Sequence, residues 1–364
     1  SNDMFYENGY TNNGQSNLKC AMGKDGTMIV FVDGWWIKFE VYNKTLGFIS
    51  KRDKDITVGW GNGVDGVITD VAIDTDNRLA FFAGWRQMWS QKFGNIYTPG
   101  LIGYDYVNNS IVYKLYDWSR SSLENNGGGS SSYIDTITVS NDELWVLGHT
   151  EGNLNVFRKS PMNISQKLDI LNIQDNTEYT GNKMDTHSQW IGRFNVRNGN
   201  PIYGQFMNVR NMTGGTGSIE PIAIRVAADG DRVFIAHNIG CCMEKYSELT
   251  VNNVPVDGYG AGLAIMSKDF TKRYHWTSFT DSMSSIDVEA RDVGYNDDIL
   301  VYIGVVDGDS SIIEINPIPG TSVGNLTQSG FIMIKEFNET KSPSINPTES
   351  PTQSNSVNIN IYYT

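Results

Sequence analysis

Cysteine, histidine and basic residues are all scarce in this chain of 364 residues. The three cysteines, Cys20, Cys241 and Cys242, are too few for a disulfide framework, and their spacing matches no metal site. One bridge from Cys20 to the Cys241/Cys242 pair is the most they could form. The four histidines, His149, His187, His237 and His275, include no HExxH pair. Lys and Arg total 28 against 41 Asp and Glu, a formal charge of −13, which argues against non-specific nucleic-acid binding. No apolar run approaches the roughly 18–20 residues of a membrane-spanning helix. P-loop, GxSxG and GxGxxG contexts are also missing.

What the chain does have is turns and short strands. Hydrophobic residues make up 39% and aromatics 12%, enough for a folded core, and 37 glycines are spread along the sequence. One pattern recurs: an alternating strand, a turn with Asp, Asn or Gly, then a solid apolar strand. It reads LKCAMGKDGTMIVFVDG from Leu18, ITDVAIDTDNRLAFFAG from Ile68 and IDTITVSNDELWVLG from Ile134. It returns as PIAIRVAADGDRVFIAH from Pro221 and SIDVEARDVGYNDDILVYIG from Ser285, with Val71, Ile137, Ile224 and Val288 at matching places. A second hairpin follows each copy, beginning near Trp35, Leu101, Leu154, Ile191, Ala261 and Ser310. Six second hairpins against five first ones leave a degenerate unit near residues 172–208.

Two hairpins per unit, at a period of roughly 50 residues, are the signature of a β-propeller. The expected fold is all-β: a propeller of about six four-stranded blades (five to seven), followed by an extended C-terminal tail that ends in a β-strand. A pair of β-sandwiches is the competing fold. Expected boundaries are an N-terminal segment over 1–17, the propeller over 18–338, a Pro/Ser/Thr linker over 339–356 and a terminal strand over 357–364. The block ITDVAIDTDNRLAFFAGW followed by GLIGYDYVNNSIVYKLYDW resembles propeller repeats of secreted bacterial and algal proteins.

Catalytic and metal residues do not announce themselves. A propeller sialidase would repeat the S-x-D-x-G-x-x-W box, and SKDFTKRYHW (Ser267 to Trp276) lacks its Gly and its spacing. The pairs Asp74/Asp76, Asp229/Asp231 and Asp307/Asp309 could hold Ca²⁺, but no stretch supplies a full loop of ligands and turn chemistry explains them better. No catalytic residue, metal ligand or cofactor is therefore assigned, and the expectation is a chain that is not an enzyme. Trp35, Trp36, Trp85 and Trp89 are candidates for a sugar-stacking platform, although large aromatics also fill the wedges between blades.

Sequons stand at Asn43, Asn108, Asn163, Asn211, Asn325 and Asn338. Asn43, Asn108 and Asn163 fall in expected second-hairpin turns of three successive units, where a glycan would decorate one side. After Lys341 the composition changes to KSPSINPTESPTQSNS, with Pro343, Pro347 and Pro351 at every fourth position, a segment suited to extended polyproline II. VNINIYYT then alternates: Val357, Ile359, Ile361 and Tyr363 share one face. A strand on so long a link is expected to add to a neighbouring subunit, giving a head-to-tail homopolymer.

The opening SNDMFYENGY reads either as a residual tag or as a mature chain whose signal peptide has gone. The stalk is similar to Pro/Ser/Thr tracts of algal and protist surface proteins, including flagellar hairs. Together these resemblances imply a secreted, glycosylated subunit of an extracellular fibril whose partners are itself and its glycans. The alternatives are a carbohydrate-binding propeller tethered by its tail, and a propeller hydrolase or lyase.

Overall fold

A computed structural model describes residues 18–32, 38–52, 66–92, 94–126, 130–151, 156–168, 188–206, 208–210, 216–226, 232–239, 250–251, 254–255, 259–269, 273–280, 288–296, 299–307, 328–336 and 359–363. Five antiparallel sheets follow one another along the chain, as in a β-propeller. Blade 1 holds β1 (Leu18–Met22), β2 (Met28–Val32), β3 (Lys38–Tyr42) and β4 (Phe48–Arg52). Blade 2 holds β5 (Gly66–Asp74), β6 (Leu79–Ser90), β7 (Gly94–Asp105) and β8 (Ser110–Leu115). After a short helix α1 (Arg120–Asn126), blade 3 holds β9 (Ser132–Ser140), β10 (Glu143–Thr150), β11 (Ser188–Asn195) and β12 (Pro201–Phe206).

In blade 4, β13 (Asn208–Arg210) flanks β14 (Thr216–Val226), β15 (Arg232–Ile239), β18 (Tyr259–Ser267) and β19 (Arg273–Thr280). A small ribbon of β16 (Thr250–Val251) and β17 (Val254–Pro255) lies between β15 and β18 in the chain. Blade 5 holds β20 (Val288–Asn296), β21 (Ile299–Asp307), β22 (Gln328–Glu336) and β23 (Ile359–Tyr363). The first full strands of successive sheets, β1, β5, β9, β14 and β20, pack against one another in that order. Among the described residues no helix is long and apolar enough to cross a membrane.

The solid apolar strands are two half-buried faces in one. On β6, Ala80 and Phe82 join Phe31, Phe39 and Tyr104 in the core shared by blades 1 and 2. Leu79, Phe81 and Ala83 face the other way, into the core of blades 2 and 3. Phe39 packs on Phe82 with ring centroids 4.9 Å apart, and edge-on to Tyr104 at 5.1 Å. Burying each such side chain contributes about 2 kcal/mol. The acidic turns close on themselves: Asp74 Oδ1 accepts the amides of Asp76 (3.0 Å) and Asn77 (3.2 Å).

Among the described residues the sheets of four or more strands number five, at the lower end of the expected range, and residues 156–168 add no pair of strands. That segment makes a 3₁₀ turn, Val156–Arg158, and one isolated bridge between Lys159 and Lys167. Phe157 from this turn stacks on Trp190 at 4.3 Å and plugs the core. The Ile191 hairpin is therefore the outer half of blade 3. In blade 5 the residue matching Val71, Ile137 and Ile224 is Val293, across from Tyr302, and not Val288.

The terminal strand is the larger correction. Ile359, Ile361 and Tyr363 pair with Lys335, Met333 and Phe331 of the same chain, so β23 is the outer strand of its own blade. The residues from Ser310 expected to supply that strand lie outside the described residues. With β22 third in the sheet, its outer N–H and C=O groups need a partner, and β23 provides it. Val357, the linker prolines Pro343, Pro347 and Pro351, and the segments 1–17 and 339–356 also lie outside the described residues.

Four first strands carry a bulge at one place, which adds Thr69, Asp135, Ile222 or Arg291 to the ladder. The residue across from the bulge is Gly84, Gly148, His237 or Gly304. A Cβ on Gly84 would stand 1.8 Å from Val67 O. The bulges also join blades. Thr69 Oγ1 donates to Ile134 O at 2.6 Å, and Asp70 accepts Thr136 Oγ1 (2.6 Å) and the Ile137 amide (2.8 Å). Lys19 of blade 1 donates to Thr69 O. Burial in this seam pushes the Asp70 carboxyl above its ordinary range, although Lys19 and these hydrogen bonds pull it down.

Gly84→Ala should lose about 3 kcal/mol of stability in urea denaturation, by forced backbone displacement. Gly294→Ala is the control: the nearest atom to its new Cβ is 3.9 Å away, so its change should stay within about 0.5 kcal/mol. Asp70 gives a pH test. Its raised folded-state pKa means its contribution is fully present below the ordinary carboxylate value, about 3.9, and fades as pH rises through the folded value. Stability of Asp70→Asn should therefore improve relative to wild type as pH is raised from 4 to 7; the opposite drift would make the Lys19 attraction dominant.

Candidate functional site

The β6–β7 hairpin outruns its sheet. Its register continues from Leu79↔Asp105 to Ser90↔Gly94, whereas β5 stops pairing at Gly66↔Arg86. Beyond Arg86 two strands project alone, and their exposure alternates. Arg86, Met88, Ser90, Ile96 and Thr98 are buried; Trp85, Gln87, Trp89, Asn95 and Tyr97 are half-buried or exposed.

Arg86 is the bolt under this projection, with 1% of its side chain exposed. Its Nε donates to Thr98 Oγ1 (3.0 Å), Nη1 to Asp117 Oδ1 (3.0 Å), and Nη2 to Tyr116 O (3.2 Å) and Trp118 O. Only a planar guanidinium presents donors in three directions at once. Helix α1 clamps the tip. Ser119 caps its first turn through the Ser122 amide, and Glu124 accepts Ser90 Oγ (2.7 Å) and the Gln91 amide (2.9 Å). The bond from Ser90 holds the Glu124 carboxyl below its ordinary range.

The opposite face carries aromatic rings. Trp85 stands edge-on to Tyr97 (4.9 Å) and Tyr133 (5.8 Å). Tyr97 stacks on Tyr133 at 5.4 Å, and Tyr133 stacks on His149 at 4.6 Å and 17°. Tyr133 is directly across from His149 in the β9–β10 register. The bulge at Asp135 turns that carboxylate to His149, with Oδ2 2.8 Å from Nδ1. Tyr133 OH donates to Glu151 at 3.3 Å, and burial pushes the Tyr133 phenol up. Four rings from two blades thus meet two carboxylates at one end of the blade 2–blade 3 seam. Rings offer apolar faces, while the carboxylates and ring edges offer hydrogen bonds.

Of the tryptophans singled out by sequence, Trp85 belongs to this group. Trp89 is 55% exposed at the hairpin tip, with the Arg120 guanidinium 4.5 Å from its ring centroid. Trp35 and Trp36 lie outside the described residues, as do Cys241 and Cys242; Cys20 is half-buried on β1. Tyr97, Tyr133, Asp135, His149 and Glu151 were not anticipated, because they converge only once blades 2 and 3 are docked. The alternation W-x-Q-x-W in β6 was the available signal. Among the described residues no group of three His, Cys, Asp or Glu could hold a metal ion.

Asn43, Asn108 and Asn163 are exposed in turns. Asn43 Oδ1 accepts Thr45 Oγ1 at 2.8 Å, and Asn163 Oδ1 accepts Ser165 Oγ at 2.8 Å. Asn163 follows the 3₁₀ turn and is not in a second hairpin, so the three do not repeat one blade position. Asn211, Asn325 and Asn338 lie outside the described residues.

No protein-family model matches the chain, and no curated protein matches it. Solved structures do resemble it. The quinohemoprotein alcohol dehydrogenase of Comamonas testosteroni is 11% identical at TM-score 0.35, over 81% of this chain and 44% of that one. The Dos1 propeller is 10% identical at TM-score 0.36, over 88% and 67%. An exo-β-1,3-galactanase from Clostridium thermocellum is 7% identical at TM-score 0.40, over 92% and 63%. The chain therefore spans less than half the length of the dehydrogenase. At these identities and TM-scores the likenesses accord with the β-propeller that the successive antiparallel sheets show, and carry nothing finer. The galactanase and the dehydrogenase are enzymes, and against them the expectation that the chain is not an enzyme does not stand.

Arg86→Lys should cost about 2–3 kcal/mol in chemical denaturation, because one ammonium cannot satisfy Thr98, Asp117 and two buried carbonyls together. A loss under about 0.5 kcal/mol would show that the hairpin is held by α1 alone.

Proposed function

We propose that this chain is a carbohydrate-binding β-propeller whose site is the end of the blade 2–blade 3 seam. The observation that carries the reading is the convergence of Trp85, Tyr97, Tyr133 and His149 beside Asp135 and Glu151. A sugar ring has an apolar face of C–H groups and a rim of hydroxyls. Half-exposed aromatic rings complement the face, and carboxylates accept from the rim. The Asp135–His149 pair fixes the imidazole plane, so His149 acts as a fourth rigid wall. Neither the exposed sequons nor the tail bears on this site. Secretion and N-glycosylation at Asn43, Asn108 and Asn163 remain a compatible setting, supported by the exposed turns that carry them. Head-to-tail polymerisation finds no support in the seating of β23.

Screening against an array of neutral and charged glycans tests the reading. Reproducible binding to one sugar class is expected, weakened at least tenfold by Trp85→Ala and by Tyr133→Ala, with the circular dichroism spectrum unchanged. A blank array, or binding indifferent to both substitutions, rules the site out.

A further inference from the structure

The aromatic group at the seam does not end the polar, ring-bearing surface. It continues outward along the β6–β7 projection. Trp85, Gln87 and Trp89 alternate with buried Arg86, Met88 and Ser90, so the three share a face. In register, Gln87 is opposite Tyr97, and Trp89 is opposite Asn95. Residues directly opposite in an antiparallel pair lie on the same side of the sheet. One face of the hairpin therefore presents a ring, an amide and a ring along β6, flanked by a phenol and an amide along β7. From Trp85 to Trp89 is four strand steps, about 14 Å at roughly 3.4 Å per residue. That is longer than a single pyranose ring.

This face is built to stay put. Its underside is bolted by Arg86 and clamped through Glu124 of α1, so the rings are presented on a rigid element. An exposed tryptophan on a projecting two-stranded ribbon contributes nothing to the cores of blades 2 and 3, since Trp89 belongs to neither cluster. Charge narrows the ligand. Asp135 and Glu151 stand at the inner end, and the chain carries −13 overall. Arg120, the cation over Trp89, is already ion-paired to Glu124 at 3.2 Å. A polyanionic glycan would be repelled at the inner end and would find Arg120 already paired, while Lys92 in the hairpin turn donates to Glu124 O at 3.3 Å.

We propose that the β6–β7 hairpin is an extended subsite that takes an uncharged oligosaccharide of several units, laid from the Trp85 end to Trp89. The inference rests on the carbohydrate reading of the seam. Trp85, Tyr97 and Tyr133 hold one unit at the seam. Gln87 donates to and accepts from hydroxyls midway, and Trp89, with Asn95 across from it, stacks on a unit further along the chain.

Calorimetric titration with homologous series tests this: β-1,3- and β-1,4-glucans, β-1,4-mannan, β-1,4-xylan and β-1,3-galactan, each from monosaccharide to hexasaccharide, with oligogalacturonates as the anionic series. For at least one neutral series, affinity should climb with length over the first few units and then level off. Trp89→Ala and Gln87→Ala should remove at least tenfold of the gain for the longer chains while leaving the monosaccharide affinity as it was. If affinity ignores length and Trp89→Ala equals wild type while Trp85→Ala weakens binding, the extended subsite is wrong and the seam site stands. Preference for the oligogalacturonates overturns the uncharged assignment. If no series binds, the carbohydrate reading and the subsite both fall.

Discussion

In blades 1, 2, 3 and 5 the first strand is an edge of its own sheet. Such a strand points half of its backbone N–H and C=O groups away from its partner, and they must be satisfied elsewhere. Here the preceding blade supplies the partners. Ile134 O and the Ile137 amide of β9 are met by Thr69 and Asp70 of blade 2. The Ala290 amide of β20 is met by Asn238 Oδ1 of blade 4 at 2.8 Å. The bulge makes this reach geometrically available in blade 2, because an added residue turns two polar side chains toward the next blade. Glycine behind the bulge follows from the same demand, since the bulged backbone occupies the space a Cβ would take.

The candidate site is the continuation of that seam past the end of the sheet. In the middle of the seam the bulge residues are consumed in bonding blade to blade. One blade further along, Asp135 occupies the equivalent position and turns to His149 instead. A device that elsewhere secures the architecture is thus freed, at the rim, to hold an imidazole against Tyr133. The projecting hairpin extends the surface, and Arg86 ties its base to Asp117 and to the carbonyls of Tyr116 and Trp118 in the segment that leads to α1.

Much of the fold was legible because burial leaves a periodic trace. LAFFA is apolar and buried at every position, MIVFV is equally apolar with Ile29 and Phe31 buried and Met28 and Val30 half-buried, and GWRQMW alternates and sits half in solvent. What misled was segment chemistry that two structures share. The Leu154 stretch has apolar residues around an Asn-containing turn, as a hairpin would, yet its Phe157 fills a core gap from a 3₁₀ turn. The shift from Val288 to Val293 arose because IDV at 286–288 and RDV at 291–293 both match the TDV of blade 2, and only the register tells them apart. VNINIYYT read correctly as a strand, but strand periodicity says nothing about which edge it joins. The site was only one-quarter visible: Trp85 could be named from its type, whereas Tyr97, Tyr133 and His149 gain meaning from a docking of blades that no local pattern encodes.

The bulge also bears on how such a molecule changes over generations. It divides a blade into a part that must be kept and a part that is open to drift. The residue behind it is glycine in blades 2, 3 and 5 and His237 in blade 4. The added residue in front is Thr, Asp, Ile or Arg in the four blades that have it, without disturbing the ladder on either side. Each bulged blade therefore offers one position where chemistry can be rewritten by a single codon while the ladder is kept, which makes duplication of such a blade a ready source of new surface.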